Sequence, residues 1–200
     1  MIFKSLSDPR TTQGLITQGC SHLVISTILM NTESNIELPD NDRCAFCAFL
    51  RGERPYTILC RTSGTATFVT REQRGLPHLL VLPVRHVATI LELTDLEASS
   101  VAIAVRDAAI LIDRVYSKPG ISVWQNNGVS AGQAVNHLHF HVAGTLAEGG
   151  TKFGSVEEIS VAETDEIAKK LRGPVPGPCA EQPTSGQIGR VSTPPDAGCH

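Results

Sequence analysis

The stretch NHLHFHVAG, residues 136–144, sets histidines at every second position: His137, His139 and His141. The chain holds only seven histidines, so three of them fall within five residues. Leu138, Phe140 and Val142 fill the alternate places. Strict alternation with aromatic and β-branched residues is the pattern of a strand. Side chains of a strand point to opposite faces in turn, with a rise of about 3.3 Å per residue. The three imidazoles therefore share one face, and the apolar set points the other way into a core. No Lys, Glu or Thr interrupts the histidines, as would be expected of an ordinary solvated face.

Working outward, CAFC (44–47) has the two-residue spacing that lets two thiolates grip one zinc ion. A closed tetrahedral site needs two more ligands, and His78, His86 and the triplet are the candidates. In PHLLVLPVRH (77–86), His86 lies just past a short apolar run bracketed by prolines. A set made of Cys44, Cys47, His86 and one histidine of the triplet would be structural, with no open position for water. The competing readings are a pair of buried cysteines at a turn, or disulfide exchange. The second needs a βαβ pattern around the pair, which the sequence lacks.

The rest of the chain frames these motifs. At 200 residues and 41% hydrophobic, one domain with tails is expected. A net charge of −3 offers no basic footprint for a nucleic-acid polymer. No apolar run is long enough to span a bilayer, and a cytoplasmic location is expected. PYTILCR (55–61) and TATFVTR (65–71) read as strands around a Ser63-Gly64 turn, and PHLLVLP (77–83) as a buried strand. Thr94 and Glu97 form a capping box before a long helix that Pro119-Gly120 ends. ISVWQNN (121–127) reads as a strand, and GVSAGQA (128–134) as a loop whose backbone N–H groups suit an anion. The order of elements predicts an α+β fold with an antiparallel sheet and one long helix. Residues 1–41 read as an N-terminal extension, of which 1–29 precede a second candidate start at Met30. Residues 147–173 form a C-terminal segment with a short helix at 161–173, and 174–200 a disordered tail. Trp124 reads as a core or packing residue.

Taken together, CAFC, PHLLVLPVRH and NNGVSAGQAVNHLHFHV resemble the histidine triad (HIT) superfamily of nucleotide hydrolases and transferases, in family order and over residues 42–146. The resemblance is closest to bacterial zinc-containing members. It implies a HIT-like antiparallel sheet with a zinc knuckle near the start of the domain. It implies structural Zn2+ on Cys44, Cys47, His86 and His137. It assigns His139 as the nucleophile, His141 as the residue that contacts phosphate and assists the leaving group, and His78 as its support. Asn126, Gly132 and Gln133, with His141, are the implied nucleotide contacts. A homodimer is also implied.

The chemistry agrees. Neutral imidazole, with an ordinary pKa of about 6.5, is a good nucleophile near neutrality. It can attack phosphorus and split one displacement into two easier ones. The expected reaction is attack on the α-phosphate of a nucleoside phosphoramidate or dinucleoside polyphosphate, through a nucleotidyl-histidine intermediate. Alternatives are a nucleotide-binding regulatory module with little turnover, and an enzyme whose three histidines ligate one ion.

The sequence departs from the family at three places. Thr70 stands where many members have an aspartate for the ribose, with Glu72 as a nearby substitute. Ala134 replaces a hydroxyl residue. HVAGT replaces an Ile-Pro-Arg run after the triad, which removes a cation.

Overall fold

The computed structural model describes residues 34–40 and 43–173. The expectations for residues 1–33 and for the tail beyond 173 lie outside the described residues.

The sheet has five antiparallel strands: β1 (Ile58–Arg61), β2 (Thr65–Val69), β3 (His78–Pro83), β4 (Ile121–Gln125) and β5 (Phe140–Gly144). Their order across the sheet is β1-β2-β3-β5-β4. A long helix, α2 (Asp95–Tyr116), joins β3 to β4, a short one, α1 (Ala45–Leu50), precedes β1, and α3 (Val161–Arg172) follows β5. The α2 capping box forms: the Thr94 hydroxyl accepts from the Glu97 N–H, and the Glu97 carboxylate accepts from the Thr94 N–H at 3.0 Å. The helix ends at Ser117, which takes a left-handed conformation.

The central strand β3 is buried along its whole length. That explains why HLLVLP is a continuous apolar run and not an alternating one. Leu79 and Val81 face one layer with Val69, Val142, Val101, Ala108, Leu111 and Ile112, joined by Ala168 and Leu171 of α3. Leu80 and Leu82 face the other layer with Ala66, Phe68, Phe46 and Leu50. The histidines belong to this second layer, so the face they share is lined by aromatic side chains.

The strand reading of the triad needs a correction. Only His141 lies within β5, which starts at Phe140. The His137 N–H bonds the Val135 carbonyl at 2.7 Å, and the Leu138 N–H bonds the Val87 carbonyl at 2.7 Å. Those bonds take residues 137 and 138 off the ladder and swing His137 toward α1. Alternation holds within β5, where Val142 pairs with Leu79 and packs in the first layer while His141 pairs with Leu80.

Candidate functional site

The candidate metal ligands gather around the start of α1. Cys44 is its N-cap, and Cys44 Sγ accepts from the Cys47 N–H at 3.4 Å. His137 comes from the approach to β5 and His86 from the turn after β3. The ligand atoms of Cys44, Cys47, His86 and His137 all lie within 4.8 Å of one another. His137 Nδ1 is 3.4 Å from Cys44 Sγ and 3.6 Å from Cys47 Sγ, and His86 Nδ1 is 3.4 Å from Cys47 Sγ. A tetrahedral zinc with its usual bond lengths has S···N edges of about 3.6 Å. The donor set and its spacing therefore fit zinc. The His137 tautomer fits as well: its Nε2–H donates to the Pro83 carbonyl at 3.0 Å, which leaves the Nδ1 lone pair facing the sulfurs. Burial and the neighbouring Cys44 push the Cys47 thiol up to about 11. A divalent cation between the two thiols would reverse that. Among the described residues, His139 and His141 are not members of this cluster.

The other half of the triad is built differently. His139 is 8% exposed, and its Nδ1–H donates to the His137 carbonyl at 2.7 Å. That bond fixes the tautomer and leaves Nε2 as a lone pair. The ring edge packs against Phe46, with centroids 5.1 Å apart, and against His141 at 4.9 Å. Burial holds the imidazole below its ordinary pKa, hence neutral.

His141 and His78 form a directional relay. The His78 Nδ1 lies 2.7 Å from the Glu72 carbonyl, and a carbonyl only accepts, so Nδ1 carries the proton. Its Nε2 then accepts from His141 Nδ1–H at 3.0 Å. The lone pair of His141 is left on Nε2. The Arg74 N–H, 3.4 Å from His78 Nδ1, instead donates to the Glu72 carbonyl at 3.1 Å. Burial pushes His78 down to about 4. It pushes His141 down to about 2, with the charges of His139, His78 and Arg74 adding to it.

The loop expected to cradle phosphate is more self-contained than its glycines suggest. Gly132 takes a positive φ of 86° and ends a single 3-10 turn, Val129–Ala131. The N–H groups of Ala131, Gly132 and Gln133 bond carbonyls within the turn, and the Val129 N–H bonds the Glu37 carbonyl at 2.8 Å. Gln133 is buried. Its side-chain oxygen accepts from the Gly128 N–H at 2.6 Å, and its nitrogen donates to Ala88 and Val135 carbonyls at 2.8 and 3.0 Å. Its amide thus holds the loop to the β3–α2 connection. Asn126 lies beside the turn, its amide nitrogen 3.7 Å from where a Gly132 Cβ would stand. Ile36 and Glu37, placed in the extension by sequence, pack against Gly128.

Three participants were not singled out by sequence. Trp124 pairs with His141 across β4 and β5, and the two rings stack with centroids 4.6 Å apart and planes at 1°. The indole also lies 5.2 Å from His78. The signal was its position as the fourth of the five residues of β4, on the strand next to the triad. Phe46, inside the cysteine pair, walls His137 and His139. Arg74, four residues before His78, places a cation near the relay; Thr70 is buried, and Glu72 engages Arg74 at 2.8 Å.

Comparison with known proteins agrees with this architecture. The HIT domain model matches residues 51–147. A HIT-like protein of Methanocaldococcus jannaschii is 30% identical over 132 residues, which cover 65% of this chain and 99% of that one. The adenosine 5′-monophosphoramidase of Schizosaccharomyces pombe is 30% identical over 139 residues, 64% of this chain and 98% of that enzyme. A crystal structure of a HIT-like protein from Bartonella henselae shares the fold, with a TM-score of 0.61 at 24% identity, over 68% of this chain and 98% of that one. The chain belongs to the HIT family. Among the described residues no helix is long and apolar enough to cross a membrane.

Proposed function

We propose that the protein is a nucleotide hydrolase or transferase that acts on the α-phosphate of a nucleoside phosphoramidate or dinucleoside polyphosphate. The observation that carries this reading is the tautomer of His139, whose Nδ1–H is spent on the His137 carbonyl while Nε2 keeps its lone pair. In the first step Nε2 attacks phosphorus, and the bond to the leaving amine or phosphate breaks. His141, protonated at Nε2 once the anionic substrate offsets its burial and the nearby Arg74, passes that proton to the leaving group. In the second step His141 takes a proton from water, the hydroxide oxygen bonds phosphorus, and His139 departs neutral. A different acceptor in place of water gives transfer. Asn126 and His141 would contact the nucleotide phosphate through their side chains. Gly132 and Gln133 serve by shaping the loop. The similarity to an adenosine 5′-monophosphoramidase favours the phosphoramidate over the dinucleotide.

Cys44, Cys47, His86 and His137 would hold structural Zn2+. Bound there, the ion supplies a cross-link between α1, the β3 turn and the start of the triad. The thiolate pair suits a reducing cytoplasm. The protein forms a homodimer through β4 in this reading. Arg172 occupies carbonyls of β1 at the other end of the sheet, at 2.6 Å from Ile58 O. Beside β4 lie exposed Ile90 and Val123 and an apolar cleft of about 290 Å3 that includes Leu93, Val105 and Phe140.

The test is AMP release from adenosine 5′-phosphoramidate and diadenosine tetraphosphate by wild type and His139→Ala. Turnover of either compound by wild type, lost in a folded variant, supports the assignment. Binding of AMP without turnover of either would make the protein a nucleotide-binding module.

A further inference from the structure

The loop 70–76, which carries Glu72, is covered by a segment 78 to 88 residues further along the chain. Arg71 and Ile159 exchange two bonds: the Ile159 N–H donates to the Arg71 carbonyl at 3.0 Å, and Arg71 Nε donates to the Ile159 carbonyl at 2.8 Å. Arg71 also pairs with Glu158 at 2.8 Å, and Glu72 forms an antiparallel bridge with Glu158. At the other end, the Lys152 N–H donates to the Arg74 carbonyl at 2.6 Å. The Arg74 guanidinium spreads over three acceptors: Gly154 O at 2.8 Å, Lys152 O at 3.3 Å and Glu72 Oε2 at 2.8 Å. A planar fork with donors on both sides suits such an array, and a lysine ammonium does not reproduce it.

We propose that residues 152–159 are a strap that positions the catalytic relay, with Arg71 and Arg74 as its positioning residues. This rests on the role given above to His141. The Glu72 carbonyl is the first link of the relay and the group that fixes the proton on His78 Nδ1. Whatever holds Glu72 therefore decides which nitrogen of His141 faces the substrate. The loop's own bonds hold its base. Gln73 Oε1 accepts from the His78 N–H at 2.9 Å, and the Leu76 N–H bonds the Gly144 carbonyl at 3.0 Å. The strap holds the outer part, residues 71–74. It is itself stretched between two fixed points, β5 and the capped start of α3, where the Ser160 hydroxyl accepts from the Glu163 N–H. The family-model match ends at residue 147, before the strap begins. The groups facing His141 are His78 from β3, His139 on its own segment, Trp124 from β4 and Arg74 from the loop. Loss of the strap acts on the first and last of these.

The experiment uses the full chain carrying Arg71→Gln and Arg74→Gln together, with Arg74→Lys as the conservative partner. Ring 15N shifts of His78 and His141 are read near pH 7, beside kcat, KM and thermal unfolding. In the wild type both rings carry the proton on Nδ1. In the double variant they become a mixture of tautomers, kcat falls about tenfold to a hundredfold, and KM moves less than about threefold. Arg74→Lys falls between the two. Unchanged ring shifts and kcat in the double variant would overturn the proposal and leave the strap as surface packing. Should the double variant not fold, Arg71→Gln alone, which keeps the Arg74 fork, is read in the same way. A wild type without turnover counts against the functional reading, whereas the ring shifts decide the strap without substrate.

Discussion

The two ends of the histidine triad are tethered by opposite means. His137 is set through side-chain atoms beside two sulfurs and a second histidine, a group whose spacing suits a cation. His141 is tied through His78 to a main-chain carbonyl, a bond that needs no ion. His139 lies between them and hangs on the His137 carbonyl. In the proposed reading, the nucleophile His139 is positioned by the end that would hold metal, and the proton carrier His141 by the end that needs none. Stability and nucleophile placement should respond to metal, while proton delivery should respond to the loop 70–76.

The largest expected effect is on the nucleophile itself: His139→Ala should reduce turnover on the order of 10^4-fold or more, by steady-state kinetics. His78→Asn or His141→Asn comes next, with a loss of about 10^2- to 10^4-fold in kcat and unchanged metal content by atomic absorption. A loss of metal in either variant would break the division between the two ends. Chelation, or Cys44→Ser, should lower the unfolding midpoint by about 10 °C or more, since a cross-link of several kcal/mol shifts a domain of this size by 2–4 °C per kcal/mol. An equal effect of chelator on proton delivery would erase the contrast. Acid should weaken the relay end as well. His78 titrates near 6.5 unfolded and near 4 folded, so the unfolded state binds more protons between those values. Stability is therefore complete above pH 6.5 and falls as pH drops toward 4, by on the order of 3 kcal/mol for this group. Urea unfolding at pH 7, 5.5 and 4.5 measures it. The smallest effect is expected at Gly75, where an added Cβ would meet the Gly144 carbonyl at 2.2 Å. Gly75→Ala should cost about 1–3 kcal/mol and disturb the relay end alone.

Much of this was readable in the sequence, because it rests on local spacing. The Cys-x-x-Cys pair, the capping box at Thr94 and the alternation around His139 each lie within a few residues. The start of β5 was not readable. Alternation continues through His137, and only the bonds from residues 137 and 138 to Val135 and Val87 show that the chain has left the ladder. The loop 128–134 was read as an anion cradle from its glycines, yet the turn consumes most of its own N–H groups, and Gln133 is a brace. Trp124 was read as a core or packing residue, and a lone aromatic carries no periodic signal that names its partner. Its partner His141 is set by the β4–β5 register. The contacts of Arg71 and Arg74 with residues 152–159 join polar residues far apart in a stretch without periodicity, which local reasoning cannot pair.

The central claim is that His139 Nε2 becomes covalently bonded to phosphorus. The most direct measurement mixes wild-type enzyme with adenosine 5′-phosphoramidate, quenches early in alkali, where a phosphohistidine survives, and locates the adduct by mass spectrometry of the peptide spanning residues 136–144. The account predicts an adenylyl group on His139 that forms within the first turnover and is absent in His139→Ala. An adduct on His141 or His137, or product formed with no adduct at any time, would contradict it.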